Sequence, residues 1–278
     1  MDIDHIYTLR HTAPPLPAAL LDIISNLKVS SKPPFRKPYQ KRKEADNWRE
    51  SVLSEIVRKV KEKDDPDYHT VSSDLNKITK QNYDKLIADV LARLKTRDGM
   101  FRLRVTTLLF DRGIRQIFFA PMMADAYREI VQVFPDAKDD LKTQMELFET
   151  LYDVKNVIVL PSSSEKGYEE AVIQWTKHKE LKRGFAVYVT ELYTRELVPE
   201  ATMNSFLTVI LDDLKESIGQ PKTDVKIEHV DALVRFLFES VTKVPGVKES
   251  IKGILAIPKD QTPCLSMKSR FKLQDGLA

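Results

Sequence analysis

A single cysteine, Cys264, occurs in 278 residues, which excludes an intramolecular disulfide, a zinc ribbon and a Cys-x-x-Cys redox pair. Glycine is scarce too: there are eight, where average usage of about 7% would give about nineteen. A Rossmann domain, a P-loop or a glycine-rich β-sandwich would each want more. The motifs HExxH, GxSxG, GxxxxGK(S/T) and GxGxxG are all missing, and with them the usual signatures of zinc, nucleophile-elbow, phosphate-loop and dinucleotide chemistry. No apolar run reaches the roughly 18 residues of a membrane span, and Met1–Arg10 lacks the apolar core of a secretory signal. Net charge is nearly absent, because 44 Lys and Arg stand against 41 Asp and Glu. What the chain does have is 42% hydrophobic and 31% charged residues, the balance of a folded core under a charged surface. The expectation is a soluble, cytoplasmic protein of one large domain or two modest ones.

The small charge surplus is localised. Residues 1–48 hold six of the fifteen prolines and carry eight basic against five acidic residues. From Lys28 to Lys43 seven bases occur with no acid. Proline removes backbone donors and like charges repel, so residues 30–46 are expected to be extended and mobile. Two readings stand side by side. One is a solubilising linker; the other is an arm that binds RNA weakly and salt-sensitively. In the second, Lys32, Arg36, Lys37, Lys41, Arg42 and Lys43 meet phosphates, and Tyr39, with Phe35, stacks on bases. Within this leader Ala18–Leu27 has the pattern of a short amphipathic helix, either a docking peptide or a segment packed on the main domain. The division expected is a leader over residues 1–47 and a helical domain over 48–278.

From Trp48 onward the apolar spacing is helical. One template, with apolar residues at i, i+3, i+4, i+7, i+8 and i+11, occurs four times. The first two stripes are Tyr83, Leu86, Ile87, Val90, Leu91, Leu94 and Met123, Ala126, Tyr127, Ile130, Val131, Phe134. The other two are Met203, Phe206, Leu207, Ile210, Leu211, Leu214 and Val230, Leu233, Val234, Leu237, Phe238, Val241. Each puts an apolar stripe on one side of a three-turn helix. No run alternates with period two, so the fold class expected is all-α.

Punctuation suggests short helices and short turns. Asp64-Asp65-Pro66 should end one helix, Thr79 should cap the next, and Asp98-Gly99 should separate a further pair. Pro135, Pro199, Pro221 and Pro245 stand at breaks between stripes. Tyr168–Leu197 reads as a long helical stretch with a break near Arg183-Gly184. About ten helices from Asp67 onward, or about five antiparallel pairs of roughly 40 residues, match the spacing of a HEAT-type α-solenoid. A plain helical bundle has similar stripes.

Four segments carry a resemblance. Asp74-Leu75-Asn76-Lys77-Ile78-Thr79 resembles the Leu-Asn-Lys-Leu-Thr signature that opens the middle domain of eukaryotic translation initiation factor 4G. Leu108–Ile114 with Phe119–Tyr127 is similar to the family's second helical pair, and Gly184–Leu192 with Leu197–Ala201 to its central segment. Ser269-Arg270-Phe271-Lys272-Leu273-Gln274-Asp275 resembles the last helix, where the family has Arg-Phe-Met-Leu-Gln-Asp. The matches keep the family's order over roughly Asp67–Asp275. The resemblance implies a crescent of five HEAT-like helical pairs that holds the DEAD-box RNA helicase factor 4A and favours its RNA-competent state. It also implies that Leu75, Ile78 and Tyr83 at one end, Arg270, Phe271 and Lys272 at the other, and Trp48 just before the solenoid fall on helicase-binding positions. For Leu75, Ile78, Tyr83 and Phe271 core packing is the rival reading, and for Trp48 a hydrophobic staple. The family's cap-binding motif, Tyr-x-x-x-x-Leu-apolar, is missing here, so any contact with cap-binding factor 4E would need a non-standard leader segment. The alternative function is an adaptor of the same fold, acting on RNA in decay, splicing or repression without a helicase partner.

No cofactor is expected, and no catalytic constellation is composed. The five histidines are scattered without metal-ligand spacing. The pairs Asp139-Asp140, Glu169-Glu170 and Asp212-Asp213 read as solvated helix faces, Trp175 as a core residue, and Cys264 as a small buried hydrophobe.

Overall fold

The computed structural model describes Ala18 and residues 65–278, apart from 154, 155, 157, 159, 162 and 163. The leader bases with Tyr39, Trp48 and the 47/48 boundary lie outside the described residues, as does the expected Ala18–Leu27 helix beyond Ala18 itself.

Among the described residues eleven α-helices follow one another: α1 (Pro66–Asn76), α2 (Tyr83–Thr96), α3 (Gly99–Arg115), α4 (Ala120–Val133), α5 (Ala137–Met145) and α6 (Leu147–Tyr152). They continue as α7 (Tyr168–Thr194), α8 (Glu200–Ile218), α9 (Asp224–Ser240), α10 (Val247–Ala256) and α11 (Met267–Leu277). Two 3-10 turns, Ile117–Phe119 and Lys259–Gln261, complete the set, and no strand occurs among the described residues. The all-α expectation holds. The regular count does not, because α5 and α6 are short pieces divided at Glu146.

The four apolar stripes face inward and merge into one core, with Tyr127, Ile130, Met203, Ile210, Leu233 and Leu237 fully buried. Burying such side chains removes about 25 cal/mol per Å2 of apolar surface from water, the main source of stability for helices this short. Local chemistry sets the helix starts. Asp65, Asp98, Thr223 and Ser266 cap α1, α3, α9 and α11, each accepting hydrogen bonds from first-turn amides that have no helical partner. Asp65 with Pro66 starts a helix: Pro66 occupies the first turn, where its missing N–H costs nothing; the helix expected to end at this triplet lies outside the described residues. Thr79 does not cap α2. Its backbone N–H donates to Asn82 Oδ1 at 2.6 Å, which folds the turn before the helix.

Helix α7 runs unbroken for 27 residues, so the expected break at Arg183-Gly184 is absent. Gly184 serves a close approach instead. A Cβ there would lie 1.7 Å from the Ile114 carbonyl oxygen, and one on Gly113 would lie 2.4 Å from the Tyr188 ring. The α3 and α7 backbones meet at this crossing, which offsets the roughly 1 kcal/mol that glycine costs inside a helix.

Packing passes from helix to helix along the unit Asp64–Ala278. Helix α3 touches α1, α4, α5 and α7; α7 touches α4, α6 and α9; α9 touches α8, α10 and α11. Where α6 to α9 meet, Phe148 stacks on Phe206 at 4.1 Å, and Tyr152 and Phe236 meet edge-on at 5.6 Å. The Tyr152 hydroxyl is satisfied by the Lys182 carbonyl at 3.1 Å. This rigid centre holds α7 and α9 side by side and leaves one flank of the pair for α11.

Candidate functional site

The residues singled out at the two ends of the unit have different fates. Leu75, 2% exposed, and Ile78 are core side chains under α1 and the turn after it. Tyr83 is half-buried at the start of α2 and donates its hydroxyl proton to Glu129 Oε1 at 2.9 Å. Burial, then the bond to Glu129, raises its phenol pKa above the ordinary value, so it stays a donor. These three side chains anchor the first two helices.

At the other end Arg270 is 5% exposed, and its guanidinium donates to the Ile257 carbonyl at 3.1 Å, the Leu255 carbonyl at 3.5 Å and Thr262 Oγ1 at 2.5 Å. It pins α11 to the segment after α10. Phe271 points the opposite way and is 56% exposed, with Met267 one turn earlier also exposed. Lys272 is half-buried, its Nζ 4.2 Å from the centre of the Phe238 ring. Neighbours along one helix thus carry three roles, set by the 100° turn between successive side chains.

Lys272 also borders a groove of about 270 Å3 formed by α7, α9 and α11. Six cationic side chains line it: Lys179, Lys182 and Arg183 from α7, Arg235 from α9, and Lys268 and Lys272 from α11. Three carboxylates share it, and two are already engaged. Glu228 pairs with Lys179 at 3.2 Å, while Asp231 pairs with Lys268 at 3.7 Å and accepts from the hydroxyls of Ser266 and Ser269. Lys182, Arg183 and Lys272 have no ion-pair partner among the described residues. Arg235 reaches only Glu239, at 4.0 Å. Lys182 is 6% exposed, and burial lowers its pKa to about 8. Burial first, and then the Arg183 charge, lowers the pKa of Arg235; burial and then Arg235 do the same to Lys272. Lys182, Arg235 and Lys272 are thus partly desolvated, and Arg183, Arg235 and Lys272 repel one another, while Glu228 and Asp213 attract Lys182 and Glu239 attracts Arg235 and Lys272.

Trp175 lies on this groove, half-exposed, with Lys179 Nζ 3.9 Å from its ring centre. The expectation of a core tryptophan is corrected: α7 extends past the helices that bury its second half. The acidic pairs are corrected as well, since one member of two of them is drawn inward. Asp140 accepts from Arg102 Nε and Thr106 Oγ1 at 3.4 and 3.2 Å. Asp213 accepts from Ser217 at 2.9 Å and lies 2.7 Å from His229 Nε2. Burial pushes the Asp213 carboxyl up, but the bonds to His229 and Ser217 more than offset this and hold it below its usual range. Cys264 is fully buried, as expected, with Sγ 3.2 Å from the Gln220 carbonyl oxygen. Among the described residues no three His, Cys, Asp or Glu side chains come together as a metal site, and no helix is long and apolar enough to cross a membrane. The groove joins residues up to 97 positions apart, from Trp175 to Lys272, so helical periodicity cannot reveal it. The one local signal in the sequence is the run Lys177, Lys179, Lys182 and Arg183, since α7 as a whole balances four bases against four acids.

No family model matches the chain, and no curated protein matches its sequence.

Proposed function

We propose that the chain is a helical-repeat scaffold that binds the DEAD-box RNA helicase factor 4A in the cytoplasm, as the middle domain of initiation factor 4G does. The resemblance in the four segments supports this reading. So does the packing order in which α1, α3, α7, α9 and α11 each touch the next, the succession expected of a HEAT-type solenoid. One observation carries most weight. Phe271, on a family position linked to helicase binding, is 56% exposed, so its rival role as core filling falls away and its ring is offered to a partner. Aromatic anchors of this kind supply a large share of interface energy. The scaffold would raise the helicase's RNA-dependent ATPase by binding its closed state more tightly than its open state.

The test is Phe271→Ala, measured with purified factor 4A by calorimetry beside a melting curve. Affinity should fall by about 2 kcal/mol, while stability stays within about 0.5 kcal/mol because the ring is on the surface. If well-folded wild-type protein neither binds factor 4A at micromolar concentration nor changes its ATPase rate, the scaffold reading fails. The basic groove favours the second reading, an RNA-binding adaptor of the same fold without a helicase, and that reading would then take its place.

A further inference from the structure

We propose that the groove between α7, α9 and α11 is a binding site for single-stranded RNA, taking one nucleotide with its phosphate on Arg183, Arg235 and Lys272 and its base beside Trp175. This site is separate from the basic leader and does not depend on a helicase.

The charge arrangement is the first argument. Both groove carboxylates that form ion pairs do so with Lys179 and Lys268, which leaves Lys182, Arg183 and Lys272 without an ion pair among the described residues and Arg235 with Glu239 at 4.0 Å; Glu228 and Asp213 attract Lys182, and Glu239 attracts Lys272, only from farther off. Lys182 is buried, and Arg235 and Lys272 are partly buried beside the exposed Arg183, so an anion placed among them relieves the repulsion between neighbouring cations. The seat of α11 does not depend on these charges, because Leu273 in the core and the Arg270 hydrogen bonds hold it.

Shape supplies the second. The cations line a half-open groove of about 270 Å3, on the scale of one nucleotide. A phosphodiester is compact, and its oxygens can be shared by several donors, including the planar fork of an arginine. Carboxylates on a protein partner are spread over a broader face. Trp175 is the third argument: its half-exposed indole at the rim, with the Lys179 ammonium over the ring, offers a base a stacking surface beside the phosphate cations.

Trp48 and Trp175 are the chain's only tryptophans, so full-length Trp48→Phe protein reports on the groove through Trp175 emission alone. An oligouridylate of eight nucleotides should quench that emission saturably. The Arg183→Glu/Arg235→Glu double variant should bind it at least tenfold more weakly, with a salt slope shallower by about 0.7 for each phosphate it no longer neutralises. Should that variant melt early, Lys272→Gln alone should still weaken binding about threefold. The proposal is overturned if oligouridylate leaves Trp175 emission unchanged, or if the folded variants bind as tightly as the parent. It is also overturned if polyglutamate binds as well as oligouridylate, which would assign the groove to an acidic protein segment. No helicase is present in the titration, so neither result bears on the scaffold reading.

Discussion

The two ends of the helical unit use the same kinds of residue in opposite ways. At the N-terminal end every arginine near the start of α1 meets a carboxylate. Arg93 and Arg97 hold Asp67 at 2.7 and 3.0 Å, while Arg97 and Arg104 reach Asp65. The apolar candidates there, Leu75 and Ile78, are buried. At the C-terminal end Lys182, Arg183 and Lys272 stand without ion-pair partners among the described residues, and Phe271 and Met267 are exposed. Paired charges and buried apolar groups have their interactions within the chain. The difference separates a charge-paired, structural end from a cation-rich one, although the sequence resemblance marks both alike.

The largest effect expected is at the structural end. Leu75→Ala should cost about 2–5 kcal/mol of folding stability through the lost transfer energy and the cavity it leaves, read by denaturant or thermal unfolding. Any loss of partner binding should follow unfolding, so that lowering the temperature restores it. A variant that melts like the parent yet fails to bind would erase the contrast between the two ends.

A smaller effect is expected from acid at the cation-rich end. Burial, then the charge of Lys182, lowers the His178 pKa to about 4, against an ordinary 6.5. Between those values the unfolded chain takes up a proton that the folded protein refuses. Stability should therefore be fully present above about pH 6.5 and decline as pH falls toward 4. His178 is only partly buried, so the effect is about 1–2 kcal/mol, below the bound set by the two values. His178→Gln should flatten this slope in parallel unfolding curves. Glu191 and Asp213 titrate lower, and their contribution cancels between the two proteins. Identical slopes would mean that the end already crowded with cations tolerates another.

The smallest effect sharpens the charge contrast itself. Asp67→Asn removes two partly exposed ion pairs and should cost about 0.5–1 kcal/mol, less at high salt. Lys272→Gln removes repulsions from Arg235, Arg183 and Lys268, an attraction to Glu239 and the approach to the Phe238 ring, so stability should change by less than about 0.5 kcal/mol. Equal losses from the two substitutions would show that Lys272 has a structural partner after all.

Much of the fold was legible in the sequence. The four stripes lie on α2, α4, α8 and α9 and face the core, and Pro135, Pro199, Pro221 and Pro245 all lie outside helices. Legibility failed where distant helices meet. Gly184 reads as a breaker because a lone sequence shows only its low helix propensity, whereas the reason for it is the Ile114 carbonyl, seventy residues away. Trp175 and Val189 are both apolar residues on one helix, and only the neighbours decide that the first is half-exposed and the second buried. The candidate site was legible only in part: Phe271 and Lys272 stand out in the sequence, whereas the remainder of the groove does not.

The sequence by itself determined the secondary structure, the inward stripes and most helix ends, because propensity, capping and the 3.6-residue period act over a few neighbouring residues. Only the tertiary structure decided which of Arg270, Phe271 and Lys272 is pinned, exposed or poised on a groove. It alone decided that cations from α7, α9 and α11 converge while those near α1 are neutralised. Burial and Coulomb energy depend on distances in space, and those distances exist only once the helices have packed.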